Sequence, residues 1–282
     1  MEELSMFRKL FLYDIIQGFR QNRIKLGIIF IGAFVFCLEL SILADGMQKA
    51  SADVPDINLG TYLLHIFAGM RFFEPIPGEY FRFPIKWMLF YSFLFFSVLN
   101  YPQKDLQGMG VNYIVKSRKR WIFWISKCIW TILFVLSCFF IMFLVMIGFC
   151  LFKGKSFSLL PDVFYLEYFN DKVLGILATP EDFVPALVVM PIVMTIALAL
   201  FQQMLMLFIK PLFSYLVTEG ILLASAGTKL LILPGNYMMA LRNDILVSDG
   251  YSIQVGLYFA TTILMISIVA GLIRFKKYDI MV

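Results

Sequence analysis

Two carboxylates in apolar surroundings are the clearest candidates for chemistry. Glu39 and Glu219 each stand inside a long run of uncharged residues. Counted from the ends nearest the basic segments, they lie roughly 20 Å and roughly 12 Å along their helices. An ionisable group facing lipid costs at least about 2.5–3.5 kcal/mol, so each must face protein or water. Two readings fit. The carboxylates line a path for a cationic or amphipathic substrate, or form part of a proton relay. Alternatively, each is neutral or bonded to Ser, Thr or backbone within a helix bundle, with Glu39 simply reaching an interface. His65 is the only histidine and cannot build a metal site alone; a surface role is expected for it. The chain carries no G-x-x-x-x-G-K-S/T, H-E-x-x-H or G-x-S-x-G pattern, so nucleotide cradling, zinc proteolysis and the serine-hydrolase elbow have no residues to run on. Gly108-Met109-Gly110 is too short for a phosphate loop. No catalytic or metal-binding set is expected.

The second chemical feature is a polar stretch, Pro102–Trp130, between two apolar runs. Its basic core is Lys116, Arg118, Lys119 and Arg120, followed by Trp121, Trp124 and Trp130. Lys and Arg resist translocation and Trp favours the headgroup layer, so this stretch marks a cytoplasmic face. Within it, Asp105–Lys116 reads as a short, half-polar helix. Leu106, Met109, Tyr113 and Ile114 are its apolar positions; Asp105, Gln107, Asn112 and Lys116 are polar. Such a helix is a docking knob for a cytosolic partner. The other reading is a solvated loop held by its charges.

These residues require a membrane-embedded frame. The 282-residue chain is 61% hydrophobic and 15% charged, with mean hydropathy +0.83. A soluble domain carries about a quarter charged residues, so the polar surface is too small for a water-soluble globule. The four cysteines, Cys37, Cys128, Cys138 and Cys150, have no ligand spacing and read as packing residues. No cleavable signal peptide is expected from the acidic start. Leu4, Phe7, Phe11, Ile15 and Phe19 form one helical stripe, giving an interfacial helix over 1–25, with a solvated leader helix as the alternative. Six spans follow: 26–44, 85–101, 129–152, 183–209, 212–227 and 253–273, with a cytoplasmic segment over 102–128. The expected fold is an all-α polytopic membrane protein with no separate soluble domain. Asn58 is an expected N-cap for a short helix over 59–73 resting on the membrane surface. Pro185 and Pro191 are expected to kink the fourth span. Fifteen of the 24 Lys/Arg fall on the side of both termini, and twelve of the nineteen Asp/Glu on the other. This bias puts both termini in the cytoplasm.

With six spans, an interfacial first helix and a basic segment after the second span, the chain resembles the membrane subunit of bacterial ABC-2-type exporters. The stretches DLQGMGVNYIVKSRKRWIFWISKCIW (105–130), LPGNYMMALRND (233–244) and FKKYDI (275–280) carry the resemblance. It covers essentially the whole chain and is similar to permeases of Gram-positive bacteria. It implies an elbow helix over 1–25, a coupling helix between spans two and three, and short, partly re-entrant helices between spans five and six. ATP and Mg would sit on a separate cytosolic ATPase, two copies per transporter, docked at Asp105, Leu106, Gln107, Met109, Asn112, Tyr113 and Lys116. Two permease chains, identical or related, would face each other. Spans one, two and five would line the path, placing Glu39 and Glu219 near it. The cargo class implied is an antimicrobial peptide, lipid or drug, exported across the bacterial cell membrane. The competing expectation is a stand-alone channel or ion-coupled carrier working through the two carboxylates.

Overall fold

The computed structural model describes residues 2–72, 81, 83–99, 101, 120–170, 183–247 and 250–277, with side chains from Phe7 onward except that of Asn170. The chain is an all-α membrane protein: among the described residues there is no strand, only one isolated bridge between Asn243 and Tyr251. Numbered in chain order, the helices are α1 (Glu2–Ala50), α2 (Leu59–Phe67), α3 (Ile85–Leu99), α4 (Arg120–Lys153), α5 (Val163–Asn170), α6 (Met190–Leu205), α7 (Pro211–Gly227) and α8 (Ile253–Lys276). Four helical stretches are long and apolar enough to cross a membrane: Phe7–Ala50, Arg120–Lys153, Pro185–Leu205 and Ile253–Lys276. The apolar helices α3 and α7 are shorter, about 22 and 25 Å at 1.5 Å per residue.

α1 departs from the expected elbow and span: the two are one unbroken helix. Its buried line is not the apolar stripe through Phe7, Phe11, Ile15 and Phe19. It runs beside that stripe, through Leu10, Asp14, Gly18, Asn22, Ile29, Ala33, Cys37, Leu40 and Ala44. Small and polar residues occupy this line because α4 lies against it closely. A Cβ on Gly18 would sit 2.1 Å from the Trp130 indole nitrogen. α4 begins at Arg120, so the last nine residues expected in the cytoplasmic segment continue the third span as helix. Trp124 and Trp130 are likewise not headgroup residues. Both are buried, Trp130 against Gly18 and Tyr101, and Trp124 against Gly271 and the Ile268 carbonyl. Trp121 alone of the three is exposed.

α6 is the centre of the bundle, packed against α3, α4, α7 and α8. Its surface is dominated by Ala, Leu and Met, and its two glutamines bond across helices. Gln202 donates to the Phe95 carbonyl at 3.0 Å, and Thr131 donates to Gln203 at 2.5 Å. Hydrogen bonds of this kind hold helices together where lipid removes the hydrophobic drive. Pro185 and Pro191 lack an N–H, and the helix widens to a π turn over Pro185–Val189.

α2, expected to lie on a surface, is packed within the fold. Asn58 caps it, accepting from the Thr61 N–H at 2.9 Å. Gly60 to Phe67 are all buried. Gly60 makes this possible: its N–H bonds the Ser158 carbonyl, and a Cβ there would meet the Leu159 carbonyl oxygen at 2.4 Å. The helix ends at Phe67 because the chain turns at Gly69, φ +67°, which packs against Met239.

Candidate functional site

α3 lies between α1 and α7, and polar contacts occur at three levels along it. Near its start, the Lys86 ammonium meets Glu39 of α1 at 2.8 Å and the His65 Nε2 of α2 at 3.0 Å; Glu39 and His65 are 3.7 Å apart. At mid-helix, Ser92 donates to the Glu219 carboxylate of α7 at 2.6 Å. Near its end, Lys25 of α1 donates to the Ser97 carbonyl at 2.7 Å. Phe96 ties the trio together: the Lys25 ammonium lies 5.9 Å from its ring centre, and the Tyr215 ring of α7 packs against it at 5.9 Å. Along the same face, Ile85, Leu89 and Phe96 of α3 are exposed, as are Val35 and Leu38 of α1 and Leu216 and Val217 of α7. The two carboxylates therefore stand on the same three-helix face but have different environments. Glu39 has a half-exposed side chain (51%) in an ion pair, whereas Glu219 is buried and bonded to a hydroxyl.

His65 is not a surface residue. Its side chain is 2% exposed and it packs against the Phe169 ring. Burial, reinforced by the Lys86 ammonium and opposed by Glu39, pushes its pKa down to about 4. The ring is neutral at physiological pH, and its Nε2 accepts from Lys86. The Nδ1 is buried without a hydrogen-bond partner.

A second constellation lies at the other end of α3. Asp14 (0% exposed) and Lys127 (1%) form a buried ion pair between α1 and α4. Ser126 donates to the second Asp14 oxygen at 2.6 Å, and Tyr101 donates to the first at 3.0 Å. The Lys127 ammonium also lies over the Tyr101 and Phe123 rings, at 4.6 and 4.8 Å. One carboxylate thus binds Tyr101, two residues past α3, and the first turns of α4. The expected docking residues Asp105, Leu106, Gln107, Met109, Asn112, Tyr113 and Lys116 fall between those attachment points and lie outside the described residues.

A third polar centre organises the loop between α7 and α8, where two 3₁₀ turns, Pro234–Met238 and Ala240–Arg242, are buried. Arg242 is 1% exposed. It donates to the carbonyls of Met70, Arg71, Ser225 and Ala226 and to the Asn236 side chain, and stacks on Phe72. Two of these acceptors are among the last four carbonyls of α7, which the helix cannot satisfy itself. Burial lowers the guanidinium pKa to about 10, so it stays charged at neutral pH.

Sequence reasoning missed Asp14, Lys127 and Arg242. Asp14 stands at the margin of an apolar stripe and Lys127 within a tryptophan-rich run; an isolated charge in each of two apolar stretches was the available signal. All four cysteines are buried and unpaired. Among the described residues no group of three His, Cys, Asp or Glu could hold a metal ion.

A family model described as a protein of unknown function (DUF2705) matches residues 56–281, and the chain belongs to that family. No curated protein and no solved structure matches the chain.

Proposed function

We propose that this DUF2705 chain is the permease subunit of a bacterial ABC-2-type exporter, supplying the path and gate while a separate ATPase supplies the power. The observation that carries the reading is the α1–α3–α7 face. Its apolar surface is interrupted at three depths by Lys25, by Ser92 with Glu219, and by Lys86 with Glu39. A carboxylate at mid-depth, as Glu219 with Ser92, is expensive against lipid, and a path for an amphipathic cargo between two chains gives it a use. The four long helices with α3 and α7 make six crossings, with both termini in the cytoplasm by the charge bias. Glu39 and Glu219 line the path. The segment holding Asp105, Leu106, Gln107, Met109, Asn112, Tyr113 and Lys116 is the ATPase dock, beside the Asp14–Lys127 clamp. ATP and Mg bind the partner. The second permease chain is a copy or a relative.

Purification in mild detergent tests this: a nucleotide-hydrolysing chain should co-purify. In a well-expressed Asp105→Lys variant, its transport-coupled turnover should fall at least severalfold. A chain that never carries such a partner, and transports in vesicles without ATP, is a carrier and not this permease.

A further inference from the structure

We infer that the Glu39–Lys86 pair is a binding site for a membrane phospholipid whose headgroup carries both a phosphate and an ammonium. Lys86 is the second residue of α3, so the pair lies at the end of that helix, where a bilayer places its headgroups. Phe81 and Phe83, just ahead of α3, are exposed at the same end. Both members of the pair are accessible, the side chains of Glu39 and Lys86 being 51% and 32% exposed. Exposed Val35, Leu38 and Ile42 of α1 and Leu89 of α3 lie next to the pair in sequence and offer an apolar surface to an acyl chain.

The arrangement suits exchange of one ion pair for two. A lipid phosphate takes up Lys86 while the lipid ammonium takes up Glu39, and no net charge is added to the site. Lys86 stays in place during the exchange because it is also held by His65, whose Nε2 lies 3.0 Å away. His65 is 2% exposed, and among the described residues the titratable groups facing it are Lys86 from α3 and Glu39 from α1. It remains neutral and accepting, since its pKa lies near 4. A purely anionic headgroup fits less well, because it meets Lys86 but leaves Glu39 facing like charge. The site requires only that these helices sit in a bilayer; it does not depend on an ATPase partner.

The test is lipid retention by the purified full-length chain, measured by native mass spectrometry with phosphatidylethanolamine and phosphatidylglycerol of equal chain length. The wild type should retain phosphatidylethanolamine at least tenfold better. Glu39→Gln should abolish that preference by raising phosphatidylglycerol retention. Lys86→Gln should lower retention of both, at an unchanged melting temperature. Equal retention of the two lipids by the wild type, or an undiminished preference in Glu39→Gln, overturns the assignment. A photoreactive phosphatidylethanolamine offered to the unmodified chain gives a readout independent of variants. Adducts within 35–42 or 85–89 support the site, and adducts confined elsewhere refute it. Either result leaves the ATPase question to its own experiment.

Discussion

Asp14 and Lys127 form the most deeply buried of the described ion pairs. Each is removed from water and compensated by the other, by Ser126 and by Tyr101. Removing one member leaves a buried charge alone, at a cost of about 3–5 kcal/mol, whereas replacing both with apolar residues of similar size is often neutral. Asp14→Leu should therefore lower the melting temperature sharply, and Asp14→Leu with Lys127→Met should recover most of the loss. Arg242 makes a different demand. Its planar fork serves five acceptors from three segments, and a lysine has three donors on a single atom. Arg242→Lys should destabilise by about 2 kcal/mol or more through the carbonyls left unpaired, read by thermal unfolding in detergent. His65 sets a pH dependence. An unfolded histidine titrates near 6.5 and this one near 4, so the folded chain binds fewer protons between those values. Its contribution to stability is complete above pH 6.5 and is lost as the pH falls towards 4. The melting temperature should decline over that window, and more shallowly in His65→Gln.

At the level of elements, close approach is set by glycines meeting tryptophans. Gly18 of α1 faces Trp130, and Gly271 of α8 faces Trp124, where a Cβ would come within 2.0 Å of the ring. Gly18→Ala and Gly271→Ala should each cost about 1–3 kcal/mol by overpacking, and a larger loss in the pair than in either alone would show both contacts holding α4. These contacts explain what was legible in the sequence. Long uncharged runs located α4, α6 and α8, because a run of apolar residues leaves no alternative to a buried or lipid-facing helix. The Asn58 cap was legible because capping is local chemistry. The burial of α2 was not, since it depends on Gly60 meeting residues a hundred positions away. Nor was the face that α1 buries: the apolar stripe was the obvious choice, but glycine and aspartate on the neighbouring line fit α4 better. The tryptophans misled for the same reason. An indole beside a basic cluster suggests an interface, but its ring packs just as well against a bare glycine backbone.

For the whole molecule, orientation is the property most open to direct measurement. The native cysteines are all buried, so an introduced thiol can be read cleanly. A membrane-impermeant reagent should label Ser51→Cys in intact cells and Lys119→Cys only after permeabilisation; the reverse pattern would invert the molecule and remove the dock from the cytosol. The candidate site was only half legible. Glu39 and Glu219 were found because carboxylates stand out in apolar runs. That both flank α3, and that Lys86 and His65 share one corner with Glu39, follows from packing that no local pattern encodes. The Asp14 clamp has a mechanical consequence. Asp14 holds Tyr101, two residues past α3, on one side and Ser126 with Lys127 of α4 on the other. The two roots of the intervening stretch are thus riveted to the first helix. A load applied to that stretch is shared with α1 at once, and α1 carries it along its own axis to the far end of the helix at Ala50.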